Sequence, residues 1–193
     1  MAAHEGDRSG ALQWAADVRA ARGGNPSAFE ALVRSVQRPV YGLCLRLLRS
    51  EAESAEVAQE TFLRAYQNLG KYDESRPFDL WVLAIARNLC LDVLRRRQKH
   101  SPDPIDDLKD TLPSGETGAE ERAIQQQERM SLEAAVSTLP PEDREVLALY
   151  YVQKRTTKEI ASVMGVAPGT IMARLFRARE KLRKLMPKEE VPS

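Results

Sequence analysis

Cysteine and histidine are scarce in this chain, which has only two of each among 193 residues. Cys44 and Cys90 lie far apart inside apolar runs, without the close pairs that metal-binding thiolates usually form. We interpret both as buried free thiols. His4 and His100 stand alone, so no cluster offers a metal site or a catalytic dyad. We therefore expect no metal, no cofactor and no enzyme active site.

Long apolar runs are also missing. No stretch approaches the roughly 18 uninterrupted apolar residues of a membrane helix, and residues 1–9 lack the basic start and apolar core of a signal peptide. We expect a soluble, cytoplasmic protein without membrane insertion.

The net charge of +1 conceals a polarised chain. Residues 28–100 carry 12 basic and 9 acidic side chains, residues 101–127 carry 2 and 7, and residues 128–193 carry 12 and 9. Two mildly basic blocks thus flank an acidic bridge. This pattern suits an anion-binding protein whose acidic linker disfavours indiscriminate binding to nucleic acid.

The composition predicts an all-α protein, since helix formers dominate and no run shows sustained strand-type alternation. Pro39 should break or kink the second helix, and the Pro-rich, acidic residues 101–117 predict a flexible acidic linker. The expected helices run approximately from Leu12 to Arg22, from Ser27 to Leu47, from Ser54 to Leu69, from Phe78 to Gln98, from Ala119 to Leu139, and from Pro141 to Tyr151.

A helix-turn-helix follows in the sequence. Thr156 or Thr157 can cap its first helix, and Gly165 provides a sharp stop before the second. The second helix has an apolar seam at steps of four and three residues. Its members are Ile171, Leu175, Ala178, Leu182 and Leu185.

The opposite face of this second helix should be exposed to solvent and meet the DNA major groove. At about 100° per residue, the residues that point away from the seam are Gly169, Ala173, Phe176, Arg177 and Glu180. Arg177 could bond guanine in bidentate fashion and Phe176 could touch a thymine methyl. The flanking cations Arg174, Lys181, Arg179 and Arg183 could contact phosphates. The alternative is a solvated basic face on an ordinary helix.

Two surfaces of the N-terminal half stay undecided on these grounds. Glu53, Glu56 and Glu60 share a helical face beside Gln59, which suits a basic partner, although composition alone favours a merely solvated face. In the next helix an exposed Trp81 beside Asn88 could hold an unpaired base, with phosphates on Arg95-Arg96-Arg97. A core tryptophan at a basic helix end fits that pattern equally well.

Taken together, these segments resemble the extracytoplasmic-function branch of the sigma-70 family, over nearly everything from Ala20 to Met186. Each motif is weak singly, but their joint order is highly specific. The motifs are Ala28-Phe29-Glu30-Ala31-Leu32, Gln59-Glu60-Thr61-Phe62, Trp81 with Ile85-Ala86-Arg87-Asn88 and Asp92, Leu139-Pro140-Pro141-Glu142, and Gly169-Thr170-Ile171 through Arg177-Ala178-Arg179.

The resemblance implies two small helical modules that bind core RNA polymerase and direct promoter-specific initiation, without catalysis by this chain. Sigma region 2 would cover residues 25–98 and region 4, with the helix-turn-helix, residues 128–186. Residues 1–24 would be an N-terminal extension with one short helix, residues 99–127 the linker, and residues 187–193 a tail.

The resemblance also implies which residues contact each partner. Polymerase would meet Glu53, Glu56, Gln59 and Glu60. The melted nontemplate strand of the minus-ten element would meet Lys71, Trp81, Ile85, Asn88 and Arg95. The duplex minus-thirty-five element would meet Gly169, Thr170, Met172, Ala173, Arg174, Phe176, Arg177 and Lys181.

Four positions depart from the family pattern and bear on DNA contacts. Ala84 stands where a basic residue is usual, and Asp79 stands where a basic or small residue is common. In the last helix, Met172 replaces a frequent basic residue and Ala173 replaces a frequent serine. Promoter preference should therefore lean on Phe176 and Arg177. Family members are often held inactive by an anti-sigma protein, a further candidate partner.

Other classes of protein fit less well. A stand-alone helix-turn-helix regulator is the main alternative, but it would usually need a dimer interface or a sensor domain, and residues 1–127 show neither. An adaptor that binds only proteins would not need the basic face of the last helix. An enzyme fits worst, because no segment brings together a nucleophile, a base and an orienting group.

Overall fold

The computed structural model describes residues 5–100 and 119–185, which are helical apart from short connections. No strand occurs in either range, and no helix there is long and apolar enough to cross a membrane. Eight α-helices lie in these two ranges: α1 Glu5–Arg22, α2 Pro26–Leu48, α3 Glu51–Gln67, α4 Phe78–His100, α5 Ala119–Ser137, α6 Pro141–Leu147, α7 Thr157–Met164 and α8 Pro168–Leu185.

The chain divides into two compact units, and the first contains α1 to α4. Helix α2 is its centre, because α1, α3 and α4 all pack against it and α3 also packs against α4. The α2 side chains that fill this core are fully buried and recur at helical spacing. They include Leu32, Val36, Val40, Leu43 and Leu47.

Helix α1 is longer than expected and is part of this unit. It begins at Glu5 rather than near Leu12, and it packs on α2 with Val18 fully buried. Residues 1–24 were expected to form an extension outside the first module. The described part of that segment instead contributes to the core of the first unit.

Pro39 does not break α2, although a break was one of the two outcomes expected of it. Asn25 caps the start of the helix by accepting hydrogen bonds from the Ser27 and Ala28 amides, and the helix then continues through Pro39 to Leu48. A proline inside a helix removes one backbone hydrogen bond. The buried Val36 and Val40 on either side of Pro39 keep the helix packed on its neighbours, which offsets that loss.

The second unit contains α6 and α8, which pack against each other, and α5, which also packs against α8. The expected single helix from Pro141 to Tyr151 consists of α6 and a wider π-helical turn, Ala148–Val152. This turn buries Ala148 and Leu149 and leaves Tyr150 and Tyr151 half-buried. The predicted linker falls largely on residues 101–118, outside the described residues. Its two described ends belong to α4 and α5.

Candidate nucleic-acid interface

Helix α7 begins with a reciprocal cap. The Thr156 hydroxyl accepts a hydrogen bond from the Glu159 amide, while the Glu159 carboxylate accepts bonds from the Thr156 amide at 2.7 Å and from its hydroxyl at 2.8 Å. This is the capping box expected from a threonine followed three residues later by glutamate. Of the two candidate caps, Thr156 is therefore the one used.

A left-handed residue joins α7 to α8. Gly165 has a φ of +67°, and the Val166 amide donates a hydrogen bond to the Ala161 carbonyl at 3.1 Å. Glycine adopts this conformation without the steric cost that a Cβ imposes. The turn thus allows α8 to start at Pro168, with only three residues between it and the end of α7 at Met164.

The seam of α8 is buried as predicted, except at its end. Ile171, Leu175, Ala178 and Leu182 are buried, but Leu185 is 55% exposed. Leu185 is the last residue of α8, where the helix has run past the elements that cover the rest of the seam. Its inclusion in the seam was wrong.

The outward face of α8 is exposed and unusually apolar. Phe176 and Met172 are 66% and 62% exposed, although both are large apolar side chains. Beside them Gly169, Ala173 and Arg177 are also exposed. Among the other candidate contacts to the minus-thirty-five element, Lys181 is exposed, while Thr170 and Arg174 are half-buried.

Three of the cations that flank this face have partners within the second unit. Arg179 donates to the Tyr151 hydroxyl at 2.6 Å, and its guanidinium lies 5.4–5.5 Å from the Tyr150 and Tyr151 ring centres. Lys181 lies 3.4 Å from Asp143, and Arg183 pairs with Glu180. Arg179 therefore packs against two aromatic rings, a contact that the sequence did not predict, while its expected phosphate contact stays a prediction.

The face of α4 that was singled out in the sequence is its less buried side. Asn88 and Arg95 are exposed, and Trp81, Ala84 and Ile85 are half-buried, whereas Val82, Leu83 and Ala86 are fully buried. Arg95 forms an ion pair with Asp92 at 3.0 Å. The remaining candidate for the minus-ten element, Lys71, is exposed at the end of a 3-10 turn, Leu69–Lys71.

The sequence left open whether Trp81 is exposed or part of the core, and the structure places it between these two, half-buried in a cluster of three rings. Its ring centre lies 5.0 Å from that of Tyr72 and 5.8 Å from that of Phe78. Sequence reasoning missed both partners. Their signal was available, because Tyr72 and Phe78 lie within one short segment of Trp81.

The loop between the 3-10 turn and α4 is held by its own hydrogen bonds. The Tyr72 hydroxyl donates to the Arg76 carbonyl, and the Asp73 carboxylate accepts from the Ser75 amide at 2.9 Å. Burial, reinforced by the nearby Asp79 carboxylate, raises the pKa of Tyr72 to about 12. The phenol therefore keeps its proton at neutral pH and remains a hydrogen-bond donor.

The acidic stripe on α3, formed by Glu53, Glu56 and Glu60, is partly engaged in ion pairs within the first unit. Glu53 forms an ion pair with Arg97 of α4, and Arg97 also donates to the Leu48 carbonyl at 2.9 Å. Burial lowers the pKa of Arg97 from its usual value. Glu60 pairs with Arg64 at 2.7 Å, while Glu56 and Gln59 are exposed. Arg97 thus joins three helices, a structural role that the sequence did not predict, while its expected phosphate contact stays a prediction.

Comparison with known proteins agrees with this two-part architecture. Residues 32–100 match the model for sigma-70 region 2, and residues 129–182 match that for sigma-70 region 4. The ECF RNA polymerase sigma factor SigM of Bacillus subtilis is 32% identical over 146 residues, which span 76% of this chain and 87% of that protein. The chain belongs to the extracytoplasmic-function sigma factors of the sigma-70 family.

Other relatives are similar over most of their length. This sigma factor is 31% identical to the RNA polymerase sigma-H factor of Pseudomonas aeruginosa over 170 residues, which span 84% of this chain and 88% of that protein. The solved structure of CnrH in complex with the cytosolic domain of CnrY covers 94% of this chain with a TM-score of 0.67. At 23% identity, that likeness supports the fold alone.

The family determines what kind of DNA-binding protein this is. As an alternative sigma factor it binds core RNA polymerase and directs promoter-specific initiation of transcription. A stand-alone helix-turn-helix regulator, the main alternative from the sequence, is thereby set aside. The α-helical fold with two sigma regions is confirmed as well.

Proposed function

We propose that the two units of this sigma factor read separate promoter elements, and that α8 reads the duplex minus-thirty-five element. The exposed face of α8 is the observation that carries this assignment. Single exposed apolar side chains are ordinary, but neighbouring large ones on one helix face are typical of an interaction surface. Phe176 and Met172 could pack against thymine methyl groups. Arg177, next to Phe176, could donate two hydrogen bonds to the paired acceptor atoms of guanine.

Contacts to phosphate would come from the rim of this face. Arg174 and Lys181 lie on its border, and Gly169 and Thr170 lie in the first turn of α8, where the positive end of the helix dipole favours anions, although the Thr170 amide itself donates to the Ala167 carbonyl. Lys181 already lies near Asp143, so its ammonium would be shared between that carboxylate and a phosphate. Ala173 leaves space for a base edge to approach the helix.

The half-exposed side of α4, with the preceding loop, would hold the melted nontemplate strand of the minus-ten element. The half-exposed indole ring of Trp81 packs against the Tyr72 and Phe78 rings, which hold it in place. Asn88, two turns further along the helix, has an exposed side-chain amide. Stacking and amide hydrogen bonds together suit an unpaired base. Ile85 would pack beside it, and Lys71 and Arg95 would meet the backbone.

Polymerase would dock on α3. Glu56 and Gln59 are the exposed polar members of the stripe, so we propose them as the main contacts, with Glu60 beside them. Glu53 would act mainly through its ion pair with Arg97, which holds α3 against α4.

The chain itself would perform no chemistry, since polymerase supplies the catalytic centre, and its place of action would be the cytoplasm, where the bacterial promoter lies. An anti-sigma protein is the further partner that we include. The RpoE sigma factor of Bartonella quintana, for example, is solved in complex with the anti-sigma factor NepR.

A run-off transcription assay tests the proposal. Polymerase-bound promoter mapping across the genome would first identify a promoter. Purified protein added to core polymerase should then start transcription from it, and base changes in either element should abolish the product. Sequence-independent transcripts, or a product that survives changes in the minus-thirty-five element, would refute the assignment of α8.

A further inference from the structure

Helix α1 reaches the loop that precedes α4 through one side chain, Arg22. Its Nε donates to the Leu69 carbonyl at 3.0 Å, and one terminal nitrogen donates to the Tyr72 carbonyl at 2.5 Å. The other terminal nitrogen forms an ion pair with the Glu74 carboxylate, also at 2.5 Å. One guanidinium therefore bonds three points within six residues of chain.

The base of this side chain is rigid. Val18 and Ala21, on the turn before Arg22, are buried, and Trp14 of the same helix donates to the Ser35 hydroxyl of α2 at 3.2 Å. Helix α1 ends directly after Arg22, at Gly23-Gly24, where Gly24 has a φ of +87°. The guanidinium thus extends from a helix that is itself fixed to the core.

The loop that Arg22 holds carries the residues proposed for the minus-ten element. Lys71 lies between the two bonded carbonyls, and the Tyr72 ring contacts Trp81. The position of the Tyr72 backbone therefore determines where its ring meets the indole. The two carbonyl bonds matter more here than the ion pair, since solvent screens an ion pair near the surface and leaves it a small contribution.

We propose that Arg22 is a positioning residue for minus-ten recognition: from α1, it fixes the loop from Leu69 to Glu74 so that Lys71 and Trp81 are preorganised for an unpaired base. It touches no DNA itself. Arg22 also lies outside residues 32–100, which match sigma-70 region 2. The inference rests on the proposed function of the α4 face.

Lysine cannot replace arginine in this role. The planar guanidinium presents donors in a fixed fork, whereas an ammonium is a single point charge on a flexible stem. Arg22→Lys keeps the charge and can still pair with Glu74, but it cannot satisfy both carbonyls together with that carboxylate. This variant therefore separates the geometry from the charge.

The test uses the full chain bound to core polymerase and a single-stranded nontemplate oligonucleotide that contains the minus-ten element of a mapped promoter. We expect Arg22→Ala and Arg22→Lys to weaken oligonucleotide binding about tenfold, the size expected for losing charge-assisted bonds to partly buried carbonyls. Affinity for core polymerase and for the duplex minus-thirty-five element should not change. Arg19→Ala is the matched control, because Arg19 is exposed in the same last turn of α1.

An abasic scan of the oligonucleotide distinguishes positioning from a general loss of structure. The scan first identifies the base whose removal weakens oligonucleotide binding to the wild-type complex. On the oligonucleotide that lacks this base, Arg22→Lys should cause no additional loss of affinity, because the base removal and the substitution eliminate the same interaction. Losses that add would overturn the inference and leave Arg22 a purely structural residue. If Arg22→Ala does not fold, Arg22→Lys carries the same comparison.

Trp81→Ala separates this inference from the proposed function. If Trp81→Ala leaves oligonucleotide binding unchanged, the assignment of the α4 face fails. If Trp81→Ala weakens binding and Arg22→Lys does not, only the positioning role of Arg22 fails.

Discussion

Arg177 is exposed on the face of α8 that also carries Phe176 and Met172. We expect Arg177→Ala to weaken binding to the duplex minus-thirty-five element by about 1–3 kcal/mol and to relax preference at one base position. The reason is that a bidentate contact to guanine carries sequence information, which a phosphate contact does not. Binding measured against a set of single-base variants of the element gives both quantities.

Arg183→Ala is the matched control for that measurement. It removes the same charge from the same helix, but Arg183 already pairs with Glu180. We expect a small loss that is equal for all sequences. A uniform loss for Arg177→Ala as well would show that Arg177 contacts phosphate instead.

At the scale of single residues, the sequence predicted which way side chains point but not what they meet. Helical periodicity alone places Phe176 and Arg177 opposite the buried seam, and the structure agrees. The partner of Arg179 is a tyrosine 28 residues earlier in the chain. No local pattern contains such a contact, so the sequence did not predict this partner of Arg179. The same holds for Arg97 and its partner in α3.

At the scale of elements, two of the glutamates in α3 lie in different environments. Glu56 is exposed, whereas Glu53 is half-buried and paired with Arg97. We expect Glu56→Gln to weaken core polymerase binding with the free energy of unfolding unchanged. Glu53→Gln should instead lower the free energy of unfolding by up to about 1 kcal/mol, because Arg97 loses its charged partner while solvent screens a pair whose two side chains are about a third exposed.

Urea unfolding and polymerase affinity, measured on both variants, separate these outcomes. Glu51→Gln serves as control, since Glu51 is exposed in the first turn of α3 but lies outside the proposed stripe. Equal loss of polymerase affinity in Glu53→Gln and Glu56→Gln, without a change in stability, would contradict the division of roles.

The helices themselves were predictable where local signals act alone. The Thr156 cap and the Gly165 turn depend on residues within one turn of each other, and both occur as expected. The continuity of α2 through Pro39 depends on burial between three other helices, which periodicity does not report. The π-turn after α6 likewise has no capping residue or glycine from which the sequence could have predicted it.

At the scale of the whole molecule, function comes from combining two units that are individually ordinary. A helix-turn-helix alone favoured a regulator as readily as a sigma factor. The decision came from the order of motifs along the chain, and the matches to regions 2 and 4 agree with that order. The sequence could thus predict the class of function, while the contacts that shape the minus-ten surface required the structure.

The assignment of α4 and α8 to separate elements predicts a dependence on DNA phase. Inserting about five base pairs between the elements turns one of them to the opposite side of the duplex, because B-DNA repeats every 10–10.5 base pairs. Both units are held by one polymerase, so run-off transcription should fall sharply, whereas the same insertion upstream of the minus-thirty-five element should have no effect. On the lengthened promoter Arg177→Ala should cause no further loss, since α8 no longer meets its element. A further loss there, or full transcription despite the insertion, would mean that the two elements are read independently of each other.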